Sequence, residues 1–219
     1  MPKKESKKAK KERAARIVAA LKEIYPDAAC ALEFGGDPWR LLVMGRLSAQ
    51  CTDARVNLVC RTLFSVYPNA EAMAKADPEE VGKYIFSCGL YKTKARDLVA
   101  ASQMLLERFG GILPDTMEAL LTLPGVGRKI ANLLLGDIYR KPAIVADTHC
   151  IRISRRLGLV PIADKAPDKV EKALTELIAP EEQSDFCHRI VQFGREFCPA
   201  RGHNCESCPI KSLCDRNKV

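Results

Sequence analysis

The chain has 219 residues, 47% hydrophobic and 28% charged, with a formal net charge of +8. That is enough chain for one large domain or two small ones with a real core, and no apolar run reaches the ~18 residues expected of a membrane span. The basic N-terminus leads into an amphipathic segment without a small-residue cleavage pattern, so no signal peptide is expected and the cytoplasm is the default compartment.

The charge is unevenly placed. Lys3, Lys4, Lys7, Lys8, Lys10, Lys11, Arg13 and Arg16 oppose only Glu5 and Glu12, a net of +6 that leaves +2 for the rest of the chain. Residues 1–16 therefore read as a flexible basic tail, suited to a polyanion through counterion release and equally to a solubilising arm. Beyond the tail, apolar residues recur at helical spacing. Val56, Val59, Cys60, Leu63, Phe64 and Tyr67 form one stripe, and Leu98, Ala101, Ser102, Leu105 and Phe109 form another. Breaks such as Pro26, Gly35-Gly36, Pro68, Pro78, Gly110-Gly111, Pro142 and Pro167 cut the chain into roughly ten short helices, and strand signals are nearly absent. The expected fold is all-α.

LPGVGRK (Leu123 to Lys129) lies between the helical segments MEALLT and IANLLLGDI. Gly125 and Gly127 around Val126 let the backbone turn sharply, and the amides opening the second helix, at Arg128 and Lys129, point outward toward a phosphate. This reads as a helix-hairpin-helix, with an ordinary αα turn as the alternative. A dinucleotide fingerprint would need a strand before the glycines. Asp147 stands before the helical THCIRISRRLG, where an N-cap belongs; capping and a chemical role are compatible there, because backbone N–H bonds keep a carboxylate ionised.

Of the ten cysteines, Cys30, Cys51, Cys60, Cys88, Cys150 and Cys187 are scattered among apolar helical positions and read as buried small hydrophobes. The other four form Cys198-x6-Cys205-x2-Cys208-x5-Cys214. Four thiolates this close suit a metal centre whose ligation folds the loop, and the spacing alone does not choose between zinc and an iron–sulfur cluster.

LPGVGRK, VADTH and the four-cysteine pattern, together with LSAQCTD (Leu47 to Asp53) and GLYKTKA (Gly89 to Ala95), resemble the endonuclease III family in identity, order and spacing from about residue 17 onward. The resemblance implies two helical lobes, an iron–sulfur lobe of residues 17–30 with 142–219 and a six-helix barrel lobe of residues 31–141 carrying the hairpin. It implies a [4Fe–4S] cluster on Cys198, Cys205, Cys208 and Cys214. It also implies double-stranded DNA with damaged bases or abasic sites as partner, bound across the groove between the lobes by a monomeric, cytoplasmic, nucleoid-associated enzyme.

On that mapping Lys129 is the nucleophile of a bifunctional glycosylase and abasic-site lyase acting on damaged bases, chiefly oxidised pyrimidines, with Asp147 assisting. Gln50 and Leu90 would enter the gap left by the extruded nucleotide, and Gly125, Val126, Gly127 and Arg128 would hold the backbone. Read alone, Leu90 is as well a core residue and Gln50 a polar helix end, while Tyr91 belongs to packing. Adenine-mismatch glycosylases share the hairpin and cluster but lack a lysine at position 129. Ile130 and Lys92 depart from the family's common Thr and Asn, which bears on lesion choice and leaves the chemistry untouched.

Overall fold

The computed structural model describes residues 5–202 and 205–215. Lys3 and Lys4 of the expected tail, and His203, lie outside the described residues. Within them the chain is helical and has no strand: α1 (Lys7–Ile24), α2 (Pro38–Leu47), α3 (Asp53–Val66), α4 (Ala70–Ala74), α5 (Pro78–Ile85), α6 (Tyr91–Phe109), α7 (Met117–Leu120), α8 (Arg128–Asp137), α9 (Thr148–Arg156), α10 (Pro167–Leu177) and α11 (Gln183–Glu196). Short 3-10 turns cover Phe86–Cys88, Pro180–Glu182 and Lys211–Leu213.

Local chemistry sets the helix starts. Ser6, Asp37, Thr52, Asn69, Asp77, Thr116 and Asp147 each accept a first-turn N–H. Pro38, Pro78 and Pro167 occupy first helical positions, where a missing N–H costs no intrahelical bond. The helices fall into two compact units, one of Met1–Ala29 with Arg140–Val219 and one of Cys30–Tyr139.

The continuous unit holds α2 to α8. Helix α6 lies along α4 and α5, and α2 packs on α3, α6 and α8. Leu41, Leu47, Val56, Leu63, Met73, Ile85 and Leu105 are fully buried in it. Trp39 donates through Nε1 to Ser102 Oγ at 3.1 Å, which pairs these two buried polar groups with each other.

The discontinuous unit is built from both parts of the chain. Helix α1 packs on α10 and α11, and α9 packs on α10 and α11, around Ile17, Leu21, Ile153, Val170, Leu174, Phe186, Ile190 and Phe193. Here the expectation of a flexible basic tail over residues 1–16 is corrected for its described part, from Glu5 to Arg16. Helix α1 begins at Lys7 with Ser6 as its cap, and Arg13 and Ala14 are buried. Arg13 donates to the carbonyls of Leu157 (2.6 Å), Leu213 (3.1 Å) and Gly158 (3.3 Å) and pairs with Glu5 at 2.8 Å. A run of charges reads as tail in sequence, but one of these cations has a built seat. Lys7, Lys8, Lys11 and Arg16 are on the exposed side of the same helix.

Of the six scattered cysteines, Cys60, Cys88, Cys150 and Cys187 are buried, whereas Cys30 and Cys51 sit in loops and are half-buried. Burial pushes the Cys30 and Cys60 thiols up to about 12 and Cys88 to about 11, so they stay protonated and inert near neutral pH.

Candidate active site

The hairpin residues form a turn between α7 and α8. Gly125 takes φ 76°, the left-handed region that a side chain resists, and Val126 N–H donates to Leu123 O at 3.1 Å. Val126 is buried, anchoring the turn, while Gly125, Gly127 and Arg128 are exposed. Gly127 is the N-cap of α8, and no side chain caps that helix, unlike the seven capped by Ser, Thr, Asn or Asp. Lys129, in the first turn of α8, is exposed. An exposed first helical turn with glycine before it offers its amide hydrogens to an anion.

Two residues that sequence reasoning missed hold this turn. Arg46 and Asp97 form an ion pair at 2.6 Å with most of both side chains buried. A Cβ on Gly125 would stand 2.7 Å from Arg46 Nε and 2.8 Å from Asp97 Cβ, so the glycine is required by contact as well as by φ. Helix α8 also meets α2 at Gly45, where an added Cβ would lie 3.3 Å from Ile130. The available signal was an arginine inside the otherwise apolar LLVMGRL.

Gln50 and Leu90 lie in loops of the same unit. Both are non-glycine residues with left-handed backbone, φ 55° and 49°. Gln50 is exposed and Leu90 is 59% exposed, which excludes a core role for Leu90. Tyr91 packs, with its ring 4.9 Å from that of Phe86.

Asp147 belongs to the other unit. It caps α9, its Oδ1 accepting Cys150 N–H at 2.7 Å, and it remains partly exposed. His149 lies against Gly194 of α11, where an added Cβ would be 2.6 Å from Nδ1, and beside Arg152 Nη2 at 3.2 Å.

The four clustered cysteines follow α11. All four are half-buried, and burial first, then the neighbouring Cys214, Cys198 and Cys205, push the Cys208 thiol up. Arg156 Nη1 donates to Cys198 Sγ at 3.2 Å and to Pro199 O at 2.7 Å, holding the loop's first turn. Among the described residues no three His, Cys, Asp or Glu side chains converge closely enough to hold a metal ion. The donor set itself, four thiols within seventeen residues of the chain after α11, has the chemistry an iron–sulfur cluster requires.

Residues 43–180 match the HhH-GPD superfamily of base excision DNA repair proteins. The chain is 42% identical to endonuclease III of Synechocystis over 206 residues, covering 94% of this chain and 93% of that protein. The chain belongs to the endonuclease III family. Endonuclease III of Bacillus subtilis is 41% identical over 192 residues, 88% of this chain and 87% of that one. Among solved structures, a trapped covalent endonuclease III–DNA intermediate matches with TM-score 0.89 at 39% identity, covering 95% of this chain and 97% of that one. A thermostable thymine-DNA glycosylase, 21% identical, shares the fold with TM-score 0.85, covering 96% of this chain and 99% of that one. As a member of the endonuclease III family the chain is a base excision repair enzyme, a DNA glycosylase and abasic-site lyase. No helix among the described residues is long and apolar enough to cross a membrane.

Proposed function

We propose that Lys129 is the nucleophile with which this enzyme removes oxidised pyrimidines from double-stranded DNA and then cuts the abasic strand, acting as a monomer. The observation that carries this reading is the exposed amine of Lys129 in the uncapped first turn of α8, directly after the Gly125–Gly127 hairpin. The hairpin amides and Arg128 bind phosphate and bring the sugar to the amine.

Lys129 Nζ, once deprotonated, attacks the sugar C1′. The glycosidic bond breaks and its electron pair leaves with the base. The C1′–O4′ bond opens to a Schiff base, O4′ taking its electron pair and the proton shed by the lysine nitrogen; loss of a C2′ proton to solvent forms C2′=C3′ as the C3′–O bond breaks and releases the 3′ phosphate, and water then hydrolyses the Schiff base to free the amine. The carboxylate of Asp147 accepts a proton and offsets the positive charge that develops on the sugar as the base departs. Gln50 and Leu90, exposed and left-handed at the backbone, fill the place of the extruded nucleotide. The match to a trapped covalent DNA intermediate supports the covalent route. Cys198, Cys205, Cys208 and Cys214 would hold a [4Fe–4S] cluster, whose four metal–thiolate bonds would close the loop.

The test is borohydride trapping on a duplex carrying an oxidised pyrimidine. Wild type should give a covalent protein–DNA complex and a cut strand. Lys129→Gln should give neither while still binding abasic DNA, and trapped complexes persisting in that variant would remove the Schiff-base route.

A further inference from the structure

Lys94 is among the largest fully buried side chains of the described residues, and the acceptors around its ammonium are backbone carbonyls. Its ammonium donates to three backbone carbonyls, Leu47 O at 2.8 Å, Ala49 O at 2.7 Å and Cys88 O at 2.8 Å. An ammonium has three N–H donors, so the set is complete. Burial pushes this lysine below its ordinary range, which the protein tolerates because three carbonyl dipoles face the charge.

The three carbonyls come from two loops. Leu47 ends α2, and Ala49 immediately precedes Gln50. Cys88 ends the short 3-10 turn and stands two residues before Leu90. Each loop then turns through an exposed left-handed residue, Gln50 in one and Leu90 in the other. Such backbone persists only where its surroundings over-determine it. One buried cation ties down the residues leading into both. Three residues further along α6, Asp97 pairs with Arg46 beneath the hairpin glycine.

We propose that Lys94 is a positioning residue for base extrusion: by binding the carbonyls before Gln50 and Leu90 to one ammonium, it presents the two side chains to DNA as a single rigid pair. This rests on the gap-filling reading of Gln50 and Leu90 given above. The chemistry at Lys129 does not pass through it. Lys94 acts on whether the nucleotide leaves the stack, a step a preformed abasic site does not need in full.

The test compares two rates for Lys94→Met and, as a second variant keeping two donors without charge, Lys94→Gln. One rate is excision of an oxidised pyrimidine and the other is cleavage of a preformed abasic site in the same duplex, both at a temperature where circular dichroism shows full helicity. Misplacement of an inserting group costs on the order of a hundredfold in excision, with abasic cleavage within about threefold of wild type. At that temperature a merely structural role would leave both rates unchanged or lower them alike, and either result would overturn the proposal. Wild type failing to excise any oxidised pyrimidine would instead sink the functional reading.

Should neither variant fold, a double-mutant cycle on Gln50→Ala and Leu90→Ala leaves Lys94 in place. A rigid pair predicts that the combined loss in excision falls short of the product of the single losses by about fivefold or more. Losses that multiply would overturn the clamp, and single changes without effect would overturn both the clamp and the gap-filling reading.

Discussion

Asp147 carries two duties that one substitution separates. Its Oδ1 caps α9 through Cys150 N–H, so Asp147→Asn, which keeps an acceptor oxygen, should cost under about 1 kcal/mol of stability. If the carboxylate also assists base departure, the same change should slow excision by about two to four powers of ten. Abasic cleavage should fall far less, since no base has to leave; rates on both substrates with a melting curve decide it, and equal losses beside a lowered Tm would leave only the cap. At this scale the sequence was readable where a residue's type is itself rare in its setting. Two glycines around a valine announced the hairpin, and an aspartate before a helical run announced a cap. Lys94, Arg46, Asp97 and Arg13 were missed because a charge in sequence reads as solvated. Position 94 nevertheless continues the stripe of Leu98, Ala101, Ser102 and Leu105 by one turn, so a lysine at a core position was the available signal.

Among elements, α1 changes most from its sequence reading. Arg13→Met removes a buried guanidinium from three carbonyls and Glu5, and should lower the unfolding free energy by about 2–4 kcal/mol. Changing exposed Lys8 and Lys11 to Ala should leave stability nearly unchanged while flattening the salt dependence of DNA binding. Denaturant curves and binding titrations against salt separate these, and a basic segment serving only as a tail would show no stability loss at Arg13.

A second contact of α1 is sensitive to acid. Lys22 donates to Glu182 Oε1 at 2.6 Å and Arg189 to Oε2 at 2.8 Å. The Lys22 hydrogen bond, helped by Arg189 and opposed by burial, holds the Glu182 carboxyl below its ordinary 4.5. A carboxyl whose folded-state pKa is depressed contributes stability above its unfolded value and loses it as pH falls through the folded value. Wild type should therefore lose stability from about pH 5 downward, and Glu182→Gln should be flatter over that range. Helix starts were legible because Ser, Thr, Asn, Asp and Pro stand where the first turn needs an acceptor or can spare a donor. The true start of α1 was not, because a buried arginine and a solvated one look alike until their acceptors, far along the chain, are known.

For the molecule as a whole, the proposed cluster ties the stability of the discontinuous unit to the cysteine loop. The purified protein should be yellow-brown and contain about four irons, the content of a cubane cluster. Cys205→Ser should destabilise that unit, because a loop of this kind folds around its ligands. Iron and zinc analysis with absorption spectra checks both, and a colourless protein holding one zinc and cleaving DNA normally would refute the cluster. That the fold is all-α followed from periodicity alone. How the chain divides in space depends on pairings that no local pattern encodes, such as Arg13 with carbonyls 144 and 200 residues away.

Those separations also order events during synthesis. Arg13 is made early, and its acceptors Leu157 and Leu213 appear only after the whole of Cys30–Tyr139 has been translated. The continuous unit, all of whose helices arrive together, has its partners at hand as it emerges. Helix α1 does not. Until α10, α11 and the Lys211–Leu213 turn follow, its stripe of Ile17, Val18 and Leu21 lacks the helices that cover it. A nascent chain thus carries an adhesive amphipathic helix while the continuous unit forms, and α1 reaches its place after helices translated later than itself.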